Sequence, residues 1–272
     1  MCYRICSCWC RGLGYLPIML GVMSGATFIT SYVIAVIKGD VFAVFPYISD
    51  TGTKPPESCI FGQFLNLSAF LAFATMYVRY KQVAEFYAQD VVNKILKLNK
   101  TAFVIGSFSC LGLSIVANFQ ETSVIVVHGV GATMVFGLGV LYAFLQTIMT
   151  YKMYPDRNGL FICRVRMIIS SVALVSMVIA FSAAAVAYVQ WNKYHDQHDD
   201  RQHWRPSDGG YTAHLVSSIG EWMMAFSFLL FFFTYIRDFQ KVDMEAQIRL
   251  YVEHLDEIPE NEEPNERSRL IN

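Results

Sequence analysis

The sequence predicts an all-α fold: a polytopic membrane protein built as a six-transmembrane-helix bundle with both termini in the cytosol. Three observations predict it. Apolar residues make up 54% of the 272 positions and charged residues only 16%, whereas soluble domains carry about 25% charged residues. The apolar residues are concentrated in six long runs. Lysine and arginine lie mostly on one side of those runs.

The six runs have the length of membrane spans. A hydrocarbon core about 30 Å thick needs about 20 apolar residues at about 1.5 Å per residue. The predicted spans are about 13–37, 60–78, 101–119, 122–151, 167–189 and 212–236. The seam at 118–123 is interpreted as a tight turn, since a single helix of roughly fifty residues would far exceed the bilayer. We expect six uninterrupted helices, because a span in lipid must satisfy its own backbone hydrogen bonds.

The distribution of positive charge predicts the orientation. With both termini in the cytosol, 14 lysine and arginine residues near the spans lie on the cytosolic side and 5 on the other side. Cytosolic loops carry such an excess of positive charge. The connections after the first, third and fifth spans are therefore expected to face a lumen.

Residues 1–12 form a predicted cytosolic segment with four cysteines just before the first span. Juxtamembrane cysteines are candidates for palmitoylation, and ordinary reduced thiols are an equal alternative. The first apolar run is longer than the core of a cleavable signal peptide, so we expect it to be retained. The four cysteines are Cys2, Cys6, Cys8 and Cys10.

Small residues at a spacing of four predict close packing between helices, because lipid supplies no hydrophobic force to join them. Three helix faces show this spacing, in the first, fourth and fifth spans. They are Gly21 with Gly25, then Gly129 with Thr133 and Gly137, and Ser176 with Ala180 and Ala184.

Ionisable residues inside spans are costly and are candidates for function. Glu221 lies about two helical turns below His214 on the same helix face. We predict a lumen-facing polar pocket that binds a lipid headgroup or a cation, or that senses pH. The alternative is a set of hydrogen bonds that tie the third, fourth and sixth helices together. The predicted members are Asn118, Gln120, Glu121, His128, His214 and Glu221.

The sequence does not favour an enzyme. It contains no G-x-S-x-G elbow, P-loop, H-E-x-x-H motif or dinucleotide fingerprint, and we expect no catalytic residue, no cofactor and no metal. Three histidines in the last connection, His195, His198 and His203, leave metal binding or a pH response as alternatives to simple solvation. A net charge of −1 excludes a broadly basic nucleic-acid binder.

Residues 242–272 are predicted to form a disordered acidic cytosolic tail, because they combine low hydrophobicity with many carboxylates. Glu266 precedes Leu270 and Ile271 by four residues, which is the pattern of an acidic dileucine sorting signal. The predicted partners of this motif are clathrin adaptors, and the predicted destination is the endolysosomal membrane.

Several motifs resemble one protein family. They are "PYISDTGT" (46–53), "PPESCIFG" (55–62), "YVRYKQV" (77–83), "IVANFQE" (115–121), "HW.P" (203–206), Glu221-Trp222 and "YIRDFQK" (235–241). Together these motifs are similar to the damage-regulated autophagy modulator family, and more distantly to the Frag1/Sfk1 membrane proteins. The resemblance covers about residues 12–241. The stretch "SCLGLSIVANFQ" (109–120) and the ending "NERSRL" look most similar to the family's second paralogue.

The resemblance implies a six-span endolysosomal membrane protein that promotes autophagy without enzymatic activity and is linked to apoptosis. A smaller pool at the plasma membrane is also expected. The implied partners are membrane lipids and autophagy proteins not yet identified. The alternative function is a lipid- or ion-binding or transport protein that uses the polar pocket around Glu221 and His128. The motifs at 46–53 and 115–121 both fall on the lumenal side in the predicted topology, so we expect both to cap that pocket.

Overall fold

The computed structural model describes residues 12–88, 94–194 and 202–244. Within them six helical spans are long and apolar enough to cross a membrane. The helices are α1 Tyr15–Lys38, α2 Glu57–Phe86, α3 Lys94–Asn118, α4 Ile125–Thr133, α5 Gly139–Lys152, α6 Leu160–Tyr194, α7 Tyr211–Phe233 and α8 Ile236–Phe239. Helices α4 and α5, joined by a π-helical segment, form the fourth span. Helix α7 with α8 forms the sixth.

The spans pack in chain order around a closed ring. Each contacts the next, and α7 returns to pack against α1. The side chains that face outward are largely apolar: Ile37 is 80% exposed, Phe70 66% and Val175 56%. An apolar outer surface with polar groups turned inward is what a lipid-embedded bundle requires.

The two ends of the bundle differ, and we name them by what they carry. At the terminal face, the backbone N–H of Leu13 donates to the carbonyl oxygens of Phe239 (3.0 Å) and Val242 (3.2 Å). The segment before the first helix therefore contacts the segment at the end of the last helix. The loop face lies opposite and carries the connections 39–56, 119–124 and 202–210. The predicted tight turn between the third and fourth spans is present there, since α3 ends at Asn118 and α4 begins at Ile125.

The fourth span departs from the uninterrupted helix that its sequence predicts. A π-helical segment, Met134–Leu138, separates α4 from α5. Gly112 of α3 leaves room for it, because a Cβ there would lie 2.6 Å from Cβ of Met134 and 2.7 Å from the backbone nitrogen of Val135. Ser109 Oγ donates to the Val135 carbonyl at 2.9 Å, so a neighbouring helix satisfies a backbone group of the altered turn.

The predicted packing faces are correct in part. Gly220 of α7 lies where a Cβ would come within 3.0 Å of Ala180, so the small-residue face of the fifth span does seat its neighbour. The face of the fourth span does not, because a Cβ at Gly129 or Gly137 would have nothing within 4 Å. The close approach uses Gly131 instead, which meets Ile115 of α3.

Candidate functional site

A cavity of about 270 Å³ lies at the loop face between α4, α6 and α7; we call it the loop-face cavity. The cavity exists because the two halves of the fourth span have different neighbours. Helix α5 packs against α6, whereas α4 packs against α3. The two spans therefore separate towards the loop face. Small side chains on α6, including Ala180 and Ala184, widen the space further.

Three of the predicted pocket residues line this cavity: Glu121, His128 and Glu221. The backbone N–H of Ile48 donates to Glu221 Oε2 at 2.9 Å. His128 is 7% exposed, and its Nδ1 lies 2.7 Å from the Phe119 carbonyl oxygen. That contact makes Nδ1 the protonated nitrogen, since a carbonyl oxygen only accepts.

The segment that follows α1 caps the cavity, as the sequence predicts for the motif at 46–53. Ser49 Oγ donates to Glu121 Oε2 at 3.1 Å, which joins the motif at 115–121 to the same cap. Trp222 Nε1 donates to the Pro46 carbonyl at 2.9 Å. Asp50 begins a 3₁₀ turn, Asp50–Gly52, so this motif both makes a turn and covers the cavity.

His214 lies beside the cavity, behind an aromatic side chain. It is 4% exposed, and its ring stacks on Trp204 at a centroid distance of 4.5 Å. Tyr47 meets the same ring edge-on at 4.8 Å. His214 Nδ1 is buried and has no hydrogen-bond partner among the described residues. We conclude that His214 positions the aromatic wall.

Asn118 and Gln120, like His214, do not line the cavity. Asn118 Nδ2 donates to Asn66 Oδ1 on α2 at 3.1 Å and to the Ser114 carbonyl at 2.7 Å, and the residue is exposed. The Gln120 carbonyl accepts from the backbone N–H groups of Ser123 and Val124 and shapes the turn. Both residues serve helix and turn packing.

Sequence reasoning missed the aromatic wall of the cavity. Trp191 at the end of α6 and Trp204 in the following connection have ring centroids 4.3 Å apart. Tyr47 and Tyr188 also line the cavity. Burial raises the pKa of Tyr47, despite a hydrogen bond with Ser217 that lowers it, so its phenol is neutral and adds no charge. Tryptophan at the end of a span was the available signal.

A second cavity of about 120 Å³ lies deeper in the bundle; we call it the inner cavity. It shares Ser49, His128 and Glu221 with the loop-face cavity, and its remaining walls are almost entirely apolar. Phe136 and Ala132 of the fourth span also line both. Glu221 therefore lies where the loop-face cavity, which has several polar lining residues, meets the more apolar inner cavity.

A different group of charged residues is buried at the terminal face, and the sequence did not predict it. We call Arg79, Arg166, Tyr235 and Asp238 the arginine cluster. The charge count along the sequence includes both arginines among the ordinary positive charges near the spans. In the structure, however, Arg79 is 1% exposed and Arg166 is 0% exposed. Their distances to Asp238 Oδ2 are 3.5 Å and 2.7 Å. The Tyr235 ring lies under both guanidinium groups, at 5.4 Å and 4.7 Å.

The arginine cluster is closed and well satisfied. Arg166 donates through Nη1 to Thr150 Oγ1 at 2.8 Å and through Nε to Thr234 Oγ1 at 2.9 Å. Arg79 donates through Nη1 to Gln82 Oε1 at 2.7 Å. These partners come from α2, α5 and the turn between α7 and α8. The cluster therefore joins the second, fourth, fifth and sixth spans.

A third charged group lies at the loop face outside the cavity. Asp40 pairs with Lys38 and Lys54, each at 3.3 Å, and Lys38 also lies 3.6 Å from Glu57. Burial raises the pKa of Asp40, but the hydrogen bonds from Lys54 and Lys38 outweigh it and hold that pKa below its ordinary value. This group ties the end of α1 to the start of α2.

Comparison with known proteins decides the family. The family described as the Frag1/DRAM/Sfk1/Cwh43P N-terminal domain matches residues 12–242, which is the whole helical bundle. The chain belongs to this family. DNA damage-regulated autophagy modulator protein 2 of Homo sapiens is 42% identical over 96% of this chain and 97% of the relative. DNA damage-regulated autophagy modulator protein 1 of Homo sapiens is 43% identical over 89% of this chain and 98% of the relative.

A third relative is less similar to the chain. Modulator of macroautophagy TMEM150B-B of Xenopus laevis is 31% identical over 84% of this chain and 86% of the relative. No solved structure matches the chain. The predicted family and the six-helix fold are thus confirmed, and the relatives' names support a membrane modulator of autophagy.

The sequence-predicted sorting motif Glu266, Leu270 and Ile271 lies outside the described residues, as do Cys2, Cys6, Cys8, Cys10, His195 and His198. Among the described residues, no group of three or more histidine, cysteine or acidic side chains has the arrangement of a metal site.

Proposed function

We propose that this chain is an endolysosomal membrane protein that promotes autophagy through binding rather than catalysis. The observation that carries the proposal is the family match over residues 12–242. Relatives of both kinds, modulator protein 1 and modulator protein 2, are named as autophagy modulators. Those names describe modulators, which favours a non-enzymatic role. The acidic dileucine pattern at 266–271 supports the endolysosomal destination.

The proposed topology places the terminal face in the cytosol and the loop face in the lumen. The excess of lysine and arginine at the connections of the terminal face supports this orientation. It exposes the tail to cytosolic adaptors, and it opens the loop-face cavity towards an acidic compartment. The test fuses a reporter to the C-terminus and adds protease to intact lysosomes. Cleavage of the reporter would agree with this topology, and protection of the reporter would contradict it.

The experiment for the destination replaces Leu270 and Ile271 by alanine together. We expect the protein to leave lysosomes and accumulate at the plasma membrane, because the two apolar side chains that an adaptor binds are lost. Replacing Leu255 and Ile258 by alanine in the same tail is the matched control and should leave delivery unchanged. Unaltered lysosomal delivery of the first variant would remove the sorting signal from the proposal.

The experiment for the activity measures autophagic flux in cells that lack the protein. We expect flux to fall, to recover with the wild type, and to recover less with the Leu270/Ile271 double variant, because the protein then acts at the wrong membrane. Caspase activation in the same cells tests the link to apoptosis that we infer from the family. Normal flux without the protein would contradict the proposed function.

A second candidate function is lipid or ion binding in the loop-face cavity. One observation favours it: Glu221 and His128 lie together where this cavity meets the apolar inner cavity. An amphiphile would find polar and apolar walls in succession there. Native mass spectrometry of the purified protein should show a retained lipid, and the loss of that lipid in a Glu221→Gln variant would place it in the cavity. A protein that retains none and moves no ion in liposomes would exclude this function.

A further inference from the structure

We propose that the loop-face cavity binds a single-chain amphiphile with a positively charged amine head, held between the carboxylates of Glu121 and Glu221 and the rings of Trp191, Trp204 and Tyr47. The proposal deepens the second candidate function and rests on it. Three features of the cavity support it: its charge, its rings and the apolar cavity that adjoins it.

The first feature is the charge of the lining. Glu121 and Glu221 both line the cavity, and neither has a lysine or arginine within ion-pair distance among the described residues. Among the described residues, no lysine or arginine lines the cavity at all. Each carboxylate accepts a hydrogen bond, Glu221 from the Ile48 backbone and Glu121 from Ser49, but a charge in this position remains costly without a cation beside it. A cationic head would supply that charge, whereas a phosphate or sulfate head would meet repulsion.

The second feature is the arrangement of rings. Trp191 and Trp204 are 4% and 8% exposed, with their planes inclined at 55°, and both line the cavity with Tyr47. Trp204 is held from behind by the stacked ring of His214, so the wall is fixed before a ligand enters. Several aromatic faces around one space are the arrangement that recognises alkylated ammonium groups.

The third feature is the space for a chain. The inner cavity adjoins the loop-face cavity at Glu221, Ala132 and Phe136, which line both. The inner cavity offers about 120 Å³ between almost wholly apolar walls. Since an apolar cavity of about 150 Å³ holds a molecule the size of benzene, the first few carbons of an alkyl chain attached to a head at Glu221 would fit there. This geometry favours one chain rather than two.

The test uses the full chain in nanodiscs of digalactosyldiacylglycerol, a neutral lipid with neither amine nor phosphate. Five probes with the same fourteen-carbon chain differ only in the head: tetradecylamine, tetradecyltrimethylammonium, tetradecylphosphocholine, tetradecyl sulfate and tetradecanol. Binding is followed by tryptophan fluorescence, because Trp191 and Trp204 line the cavity, and empty nanodiscs correct for partition into lipid. We expect at least one of the two cationic probes to bind about tenfold more tightly than tetradecanol, and the sulfate to bind least.

Substitutions place the binding in the cavity. Glu221→Gln should weaken binding of the cationic probes at least fivefold and leave tetradecanol unchanged. Glu85→Gln, the same change at an exposed position of α2, should have no effect. Ala184→Phe narrows the cavity without touching a charge and should weaken every probe, so it keeps the proposal testable if Glu221→Gln fails to fold.

The outcomes separate this proposal from the candidate function beneath it. Equal affinity for all five heads would overturn the amine head and leave an apolar lipid site. Tighter binding of the sulfate or phosphocholine probe would also overturn it. If no probe binds, this proposal fails, whereas lipid retention in native mass spectrometry and ion movement in liposomes still decide the second candidate function. Preference for tetradecylamine over the trimethylammonium probe would indicate a head that donates hydrogen bonds, as in a long-chain base, whereas the reverse would indicate a quaternary head.

Discussion

The arginine cluster at the terminal face and the cavity at the loop face are both charged sites inside an apolar bundle, yet they are built in opposite ways. In the arginine cluster Asp238 lies within ion-pair distance of both arginines, and both guanidinium groups contact the Tyr235 ring. In the cavity Glu121 accepts a hydrogen bond from Ser49, and Glu221 accepts one from the Ile48 backbone. Empty space remains beside both carboxylates.

The difference shows which buried charges hold the fold together and which remain available to a ligand. A closed and fully bonded group adds rigidity, and removing one partner leaves an uncompensated buried charge. A charge beside a cavity leaves room for a ligand to complete its coordination. We therefore expect changes in the arginine cluster to reduce stability and changes in the cavity to reduce binding.

Asp238→Asn should have the largest effect. It leaves two buried guanidinium groups without the one carboxylate that they share, and we expect the free energy of unfolding to fall by about 3–5 kcal/mol. Denaturant unfolding in mixed micelles measures it. Asp156→Asn makes the same change at an exposed position of the terminal face and should cost less than about 0.5 kcal/mol. If both variants unfold alike, the arginine cluster does not stabilise the bundle.

Glu221→Gln should behave in the opposite manner. Glutamine keeps an oxygen that accepts from the Ile48 backbone, so we expect unfolding to change by no more than about 1 kcal/mol. Retention of copurified amphiphile, measured by native mass spectrometry, should nevertheless be lost. A stability loss as large as that of Asp238→Asn would show that Glu221 holds helices together, which is the structural alternative that the sequence leaves open.

The same comparison shows what the sequence can predict. The number and order of spans follow from apolar length, and the approximate position of Glu221 and His128 follows from helix geometry. The arginine cluster was not predictable, because Arg79 and Arg166 lie at span ends where arginines are ordinarily solvated. Their burial depends on Asp238, more than seventy residues away from each. The π-helical segment was also missed, because Met134–Leu138 contains no proline and its one glycine, Gly137, is tolerated within a span. Gly112 on another span makes room for it.

Ser49→Ala tests the cap of the cavity and should have a smaller effect on stability. It removes the hydroxyl that donates to Glu121, and we expect a loss of about 1 kcal/mol. Hydrogen exchange of the backbone at 46–50 should become faster, because the cap loses its tie to the turn at 121. Ser123→Ala, at an exposed position in that turn, is the control. Unchanged exchange in Ser49→Ala would mean that Trp222 and Glu221 hold the cap without this bond.

The smallest expected effect concerns acid and the ion pairs of Asp40. Because the pKa of Asp40 in the folded chain lies below its ordinary value of 3.8, its contribution to stability is present above that value and is lost only as the pH falls through the lowered pKa. The group should therefore stay intact between pH 7 and pH 5, and the unfolding midpoint should not change through Asp40 in that interval.

Lys54→Met removes one of the two cations and should cost less than about 0.5 kcal/mol, since both lysines are partly exposed. The loss of stability in acid should also begin at a higher pH in this variant. The contradicting outcome is a wild type that already loses stability between pH 7 and pH 5 together with a Lys54→Met variant that does not. It would show that the loop face senses acid through these ion pairs and not through the cavity.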